Sequence, residues 1–260
     1  MPNDSIQKII GVALGVCVVC SVLVSTASVF LKPIQVFNKA LDKKKNILVA
    51  AGVEDAKDVD KLFDEMIETK IIDLATGLEV GEDVDIDPET FDERRAAKDR
   101  ELGVAIPKKK DIGGIRRKSR YQSIYFTKGD RDQRRIILPM HGNGLWSTMY
   151  GFLALDAADL NTILSFAFYE HGETPGLGGE VDNPDWKGSW TQNKKAFDDS
   201  WKPSIKVVKG KARQDSIHEV DGLSGATLTA RGVENLVLFW LGEEGYGPLL
   251  TRLREGGDDG

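Results

Sequence analysis

Cysteine is scarce in this sequence, and the positions of its two cysteines exclude several kinds of site. Cys17 and Cys20 lie three residues apart inside an apolar run, and no cysteine follows them among the 260 residues. The rest of the chain therefore has neither a disulfide framework nor a thiolate site for zinc or an iron–sulfur cluster. Two sulfurs on one helix face cannot complete a cluster by themselves, and we interpret them as small apolar side chains.

Histidine and positive charge are also in short supply. The three histidines, His141, His171 and His218, show no spacing typical of metal ligands, so we predict no metal site. The chain has 35 lysines and arginines against 41 acidic residues, a net charge of −6. Because no basic face is implied overall, nucleic acid is not an expected partner.

One hydrophobic run is long enough to span a membrane. Residues 9–31 are uncharged and rich in Val, Leu and Ile, and as a helix they would span about 34 Å, enough to cross a bilayer core. We predict a transmembrane helix here, after a short tail at residues 1–8. A cleaved signal peptide is the alternative, because Ser25 and Ala27 resemble a cleavage site, but the run exceeds an apolar signal core of about 7 to 15 residues.

The remaining sequence indicates an α+β fold. Residues 32–118 form a connecting region with two predicted helices, over 34–53 and 58–74, followed by an acidic stretch with little pattern. Residues 119–260 form the predicted main domain, with several successive strands and a terminal helix. We therefore expect an antiparallel sheet with flanking helices, preceded by one membrane span. The predicted strands are 123–126, 135–140, 149–155, 163–169 and 205–208, and Val220 ends a further one.

Residues 221–229 place three hydroxyl side chains and two glycines at the predicted start of the terminal helix. Unpaired N–H groups and the positive end of the dipole make that position favourable for a phosphate. The pattern therefore suits a covalent cofactor site at a hydroxyl. Ordinary helix capping by Ser224, Thr227 and Thr229 is the alternative interpretation.

The motif also carries a resemblance. Ser224-Gly225-Ala226-Thr227, preceded by Asp221-Gly222, resembles the flavinylation motif of the FMN-binding domain family, in which FMN is joined through its phosphate to the threonine. Segments 144–147 and 171–178, after a single span and the segment 44–48, follow the order seen in the C-subunit family of sodium-translocating NADH:quinone oxidoreductases. The chain is identified as a member of that family by these residues.

The resemblance implies a set of site residues. Thr227 is the implied FMN acceptor, whereas Thr229 lies about 200° further around the helix. Leu145 and Trp146 would lie against the flavin ring, with a core tryptophan as the alternative, and the loop at 174–178 would close over it, with an ordinary turn as the alternative. Glu173 and His171 are interpreted as solvated, and no catalytic residue is expected. The predicted cofactor-binding residues are Thr227, Ser224, Gly225, Ala226, Leu228, Thr229, Asp221, Leu145, Trp146, Thr174, Pro175, Leu177 and Gly178.

The implied function is that of an electron carrier with covalent FMN, in a complex that oxidises NADH, reduces quinone and exports sodium. Its implied partners are the other subunits, the membrane and a flavin transferase that recognises the loop at Asp221 and Gly222. The family places the soluble domain outside the cytoplasm of a bacterial inner membrane, whereas Lys32, Lys39 and the lysines at 43–45 favour the opposite side. The alternatives are the flavoprotein subunit of the related ferredoxin:NAD oxidoreductase complex and an anchored structural or binding domain without cofactor.

Overall fold

A computed structural model describes residues 5–53, 57–81, 84, 86–129 and 134–256. The helices are α1 (Ile6–Ala50), α2 (Val59–Met66), α3 (Glu93–Ala96), α4 (Pro184–Gly188), α5 (Thr227–Leu241) and α6 (Gly247–Arg254). The strands are β1 (Ile67–Asp73), β2 (Gly103–Ala105), β3 (Arg117–Ser119), β4 (Tyr121–Thr127), β5 (Arg135–Asn143), β6 (Thr148–Asp156), β7 (Ile163–Glu170), β8 (Lys206–Val207) and β9 (Glu219–Val220).

The long helix α1 contains the predicted span and runs on through most of the helix predicted over residues 34–53. In the part of the chain described by the structure it is the one helix that by length and composition could cross a membrane. The helix ends where predicted, because Gly52 adopts φ +94° and Val53 N–H donates to the Leu48 carbonyl. The chain divides into two compact units, Met1–Lys44 and Lys45–Gly260.

A five-stranded antiparallel sheet in the order β1-β4-β5-β6-β7 forms the centre of the second unit. Strands β5 and β6 form its longest pair, a hairpin in register from Arg135 opposite Asp156 to Asn143 opposite Thr148. Two small two-stranded sheets accompany it, β2–β3 antiparallel and β8–β9 parallel. The predicted α+β class with an antiparallel sheet is confirmed.

The helix predicted over residues 58–74 is wrong in its second half. Asp58 caps α2 as expected, accepting from Lys61 N–H, but the helix stops at Met66 and strand β1 follows immediately. From Ile67 the chain is rich in β-branched residues, and it pairs residue by residue with β4. The region before residue 119 thus contributes an edge strand to the central sheet.

The sheet is buried on both faces. Along β5, Ile136 and Leu138 join the larger core with α5 and α6, while Ile137 between them joins a second core with the end of α1 and with α2. This alternation follows from the two-residue period of a strand. It explains why β5 and β6 read in the sequence as almost continuous apolar runs.

Helix α5 lies directly on β5, and two glycines permit the close approach. A Cβ on Gly232 would clash with the Asn143 carbonyl oxygen, and a Cβ on Gly142 would lie 2.5 Å from the Leu236 Cβ. Trp240 Nε1–H donates to the His141 carbonyl at 2.7 Å further along the same contact. Helix α5 is thereby fixed against the end of β5, where the β5–β6 turn begins.

Gly232→Ala tests this contact, because helix propensity and packing predict opposite signs. Propensity alone predicts a gain of about 1 kcal/mol on replacing glycine by alanine. We expect a loss of about 1–3 kcal/mol in the free energy of unfolding, since the clash is with backbone. Urea unfolding of the variant, beside the exposed neighbour Arg231→Ala as control, measures the sign. A stabilised Gly232→Ala protein would contradict the packing described here.

Candidate functional site

The hydroxyl of Thr227 stands at the start of α5 and is exposed to solvent. No side chain caps this helix end, and Ala230 N–H is the donor that reaches the Ala226 carbonyl. The N–H groups of Thr227, Leu228 and Thr229 therefore precede the first intrahelical bond. Gly225, with φ +71°, turns the chain into the helix. Such a position stabilises an anionic group attached to the hydroxyl.

Thr229 has a different environment, although it lies only two residues further. Its side chain is fully buried, and its Oγ1–H donates to Glu173 Oε2 at 2.7 Å. The two threonines therefore point to opposite surroundings, as the helical period requires. A second protein can therefore reach the hydroxyl of Thr227 but not that of Thr229.

The carboxylate of Glu173 is the shared acceptor of this region. It accepts from the N–H groups of Leu145 (3.2 Å), Trp146 (2.9 Å) and Ser147 (3.2 Å), as well as from Thr229. The residue is 5% exposed, so the interpretation of Glu173 as a solvated side chain is wrong. Sequence reasoning missed it because its donors come from segments distant in the chain.

Two glycines make room for this carboxylate. A Cβ on Gly144 would lie 2.5 Å from Glu173 Oε1, and a Cβ on Gly178 would lie 2.7 Å from Glu173 Oε2 and from Thr229 Oγ1. Both positions would therefore clash with the carboxylate if they carried a side chain. Gly144 and Gly178 thus serve packing around Glu173.

The protonation of Glu173 is governed by opposing effects. Burial raises its pKa, but the hydrogen bonds from the Thr229 hydroxyl and from the N–H groups of Trp146, Leu145 and Ser147 outweigh burial. The net result is a pKa below the ordinary value of 4.5. The group is therefore an anion at neutral pH.

His171 lies two residues before Glu173 and is partly buried. Its Nε2 lies 2.8 Å from Asp182 Oδ2, and its Nδ1 accepts from Glu173 N–H. The interpretation of His171 as a freely solvated residue is therefore incomplete. Its contacts are those of a side chain that holds the 171–182 segment together.

Large apolar side chains are exposed around the start of α5. In the β5–β6 turn Leu145 is 46% exposed and Trp146 is 72% exposed, which rules out the alternative of a core tryptophan. Leu177 and Leu228 are also exposed, and Leu177 lies within 3.0 Å of the Cβ position of Gly225. Apolar groups clustered at a surface in this way are typical of a ligand or partner site.

Thr174 and Pro175 belong to the turn that carries Leu177. Their side chains are exposed, and the Thr174 carbonyl accepts from the N–H groups of Leu177 and Gly179. The turn leads into a short 3₁₀ helix, Gly178–Asp182. It therefore presents Leu177 toward the motif by local backbone bonds.

A cleft of about 470 Å³ also borders Thr227. Of the predicted residues, Asp221, Ser224, Gly225 and Thr227 line it. Gly222 and Leu223 of the same segment also line it. The remaining walls were not predicted, since only the fold brings them here; these are Glu180, Asn183, Asp185, Trp186, Lys209, Gly210 and Lys211.

Asp221 has a structural task in this cleft. Its carboxylate accepts from Ala212 N–H (2.8 Å) and from Lys211 Nζ (2.7 Å), and its carbonyl accepts from Trp186 Nε1–H. A Cβ on Gly222 would clash with the Val208 carbonyl oxygen, so this glycine permits a close backbone approach. These contacts hold Lys211 at the cleft in an ion pair with Asp221.

Comparison with known proteins identifies relatives along nearly the whole chain. Residues 144–242 match the family model described as the FMN-binding domain. The chain is 47% identical over 257 residues to the C-subunit of the Na(+)-translocating NADH-quinone reductase of Vibrio parahaemolyticus, covering 98% of both chains. It is 46% identical over 259 residues to that of Yersinia pestis, covering 98% of this chain and 95% of the relative. A crystal structure of Shewanella oneidensis NqrC, 35% identical, superposes with a TM-score of 0.76 over 84% of this chain and 99% of that one.

The buried Glu173 predicts a pH dependence of stability. Because its folded pKa lies below 4.5, its stabilising contribution is complete above that pH and is lost as the pH falls through the folded pKa. We expect Glu173→Gln to lower the free energy of unfolding by about 1–3 kcal/mol at neutral pH, and the difference from wild type to shrink in acid. Urea titrations between about pH 6 and about pH 3 measure it, with the exposed Glu243→Gln as control. A difference that stays constant with pH would contradict this assignment.

Proposed function

The chain belongs to the C-subunit family of Na(+)-translocating NADH-quinone reductases, and from this premise we propose that it is an electron-carrier subunit holding FMN in a phosphoester bond to Thr227. The observation that carries the proposal is the contrast between an exposed Thr227 hydroxyl at an uncapped helix start and a buried, hydrogen-bonded Thr229. The bound flavin supplies reversible electron uptake, and its covalent bond makes it a fixed relay.

The residues around Thr227 suit the phosphate of such a group. Early N–H groups of α5 point out of its first turn, Gly225 keeps the approach open, and Lys209 and Lys211 line the adjoining cleft. Ser224, Ala226 and Asp221 shape the same loop. A phosphoester at this position would be met by the backbone donors of the first turn of α5.

The exposed apolar side chains suit the flavin ring. A large flat apolar surface would be covered by four side chains, Leu145, Trp146, Leu177 and Leu228. Without a ligand these side chains expose apolar area to water. Thr174, Pro175 and Gly178 complete the turn that carries Leu177. We assign this group of residues to holding the ring.

The named relatives also indicate the wider complex. They favour a complex that passes electrons from NADH to quinone over the ferredoxin:NAD alternative. In our proposal this chain exchanges electrons with other subunits and accepts FMN from a flavin transferase that uses FAD. Residues 9–31 contain no acidic side chain, so the binding of transported sodium is assigned to other subunits.

We place residues 9–31 of α1 in a bacterial inner membrane as a single span, with the unit Lys45–Gly260 on the extracytoplasmic side. The support is the apolar composition of α1 together with the family. The lysines at 43–45 oppose this orientation, but the charge rule is weak where a large domain is translocated.

The acceptor assignment predicts a clear contrast between variants. Co-expressed with a flavin transferase, wild type should give a fluorescent band on a denaturing gel, and Thr227→Ala should abolish it because no hydroxyl remains for the phosphoester. Ser224→Ala and Thr229→Ala should keep the band. A band that survives Thr227→Ala and disappears in Thr229→Ala would refute the assignment while leaving a flavoprotein.

The orientation is tested separately. Protease added to intact spheroplasts should digest the unit Lys45–Gly260, because this unit lies outside the cytoplasm in our proposal. A cytoplasmic protein that stays intact is the control for membrane integrity. Full protection of the unit until the cells are lysed would overturn the topology.

A further inference from the structure

We propose that Glu173 is a positioning residue for the flavin: it holds the exposed Leu145–Trp146 turn and the first turn of α5 in one arrangement, and it leaves an anion beside the cofactor. This inference rests on the proposed function. It goes further by assigning a role to a buried residue outside the predicted cofactor-binding set.

The contacts of Glu173 join segments that are far apart in the sequence. The turn donors lie 26 to 28 residues before Glu173, and the Thr229 donor lies 56 residues after it. Thr229 is two residues beyond Thr227 on the same helix turn. Moving the carboxylate would therefore displace the apolar turn and the acceptor threonine relative to each other.

A carboxylate is the group that this arrangement requires. Five donors point at its two oxygens, the fifth being the Ser147 hydroxyl at 3.5 Å, and each oxygen offers acceptor lone pairs and no hydrogen. A glutamine would replace one oxygen by an NH₂ group and set donor against donor. A side chain on Gly144 or Gly178 would enter the space that the carboxylate fills.

The charge itself has a consequence for the redox chemistry. Among the described residues no cation forms an ion pair with Glu173, so its charge is stabilised by N–H and O–H dipoles alone. A buried negative charge next to the flavin site disfavours the addition of an electron to the flavin. Glu173 should therefore hold the midpoint potential below the value that a neutral side chain would give.

The test follows attachment and potential separately. The full-length chain, produced without flavin, is mixed with purified flavin transferase and FAD, and in-gel fluorescence gives the initial rate of attachment. The midpoint potential is then measured on the flavin-loaded protein. The variants are Glu173→Gln, which removes the charge; Glu173→Asp, which keeps it; Thr229→Val, which removes one donor; and Glu243→Gln, an exposed control.

We expect Glu173→Gln to attach FMN about tenfold more slowly, because hydrogen bonds to a charged group are lost. Its loaded form should have a more positive midpoint potential, and Glu173→Asp should bring the potential back toward wild type. Thr229→Val should slow attachment with little change in potential, since the charge remains. Glu243→Gln should match wild type in both measurements.

The outcomes separate the two proposals. A wild-type chain that gains no FMN would refute the proposed function and the role of Glu173 with it. A wild-type chain that gains FMN while Glu173→Gln matches it in rate or in potential would refute the role of Glu173 alone. Should Glu173→Gln fail to fold, Thr229→Val decides, and attachment at the wild-type rate would overturn the positioning role.

Discussion

One buried carboxylate connects the two segments that form the candidate site, the β5–β6 turn and the start of α5. Glu173 accepts hydrogen bonds from three consecutive N–H groups of the β5–β6 turn and from the Thr229 hydroxyl of α5. Burying a charge is costly, and the arrangement persists because every donor is aimed at it. The exposed Trp146 and the exposed Thr227 are consequently held by the same group.

The sheet and α5 provide the rigid support on which that arrangement depends. Gly232 lets α5 lie against the end of β5, and Trp240 and Tyr246 fix its far end by donating to the carbonyls of His141 and Pro139. With the helix axis fixed, the position of Thr227 follows from the helical period. Thr227 and the ring of Trp146 remain exposed on an otherwise well-packed scaffold, as the proposed attachment of FMN requires.

Much of the fold could be predicted from local pattern. The strands around β5 and β6 show as apolar runs, the start of α5 shows as a change of period, and Gly52 marks the end of α1. Strand β1 was missed because its apolar residues continue the helical spacing of α2. The decision for a strand comes from pairing with β4, which lies about fifty residues later along the chain and leaves no local signal.

The site shows the same division. The motif 224–227 and its threonine could be recognised in the sequence, because they belong to one short segment at the start of a helix. The role of Glu173 is not visible in the sequence, since its donors lie 26 to 56 residues away along the chain. The spacing of Thr227 and Thr229 did indicate opposite surroundings, whereas the identity of the buried partner required the folded chain.

The central claim is that FMN is bonded to Thr227, and peptide mapping of the flavin-loaded chain tests it most directly. Trypsin cuts after Arg213 and Arg231, so residues 214–231 form one peptide that contains Ser216, Ser224, Thr227 and Thr229. Fragmentation in a mass spectrometer should place the added mass of FMN, less one water, on Thr227. The same mass on another residue of that peptide, or an unmodified peptide from a yellow protein, would contradict the account.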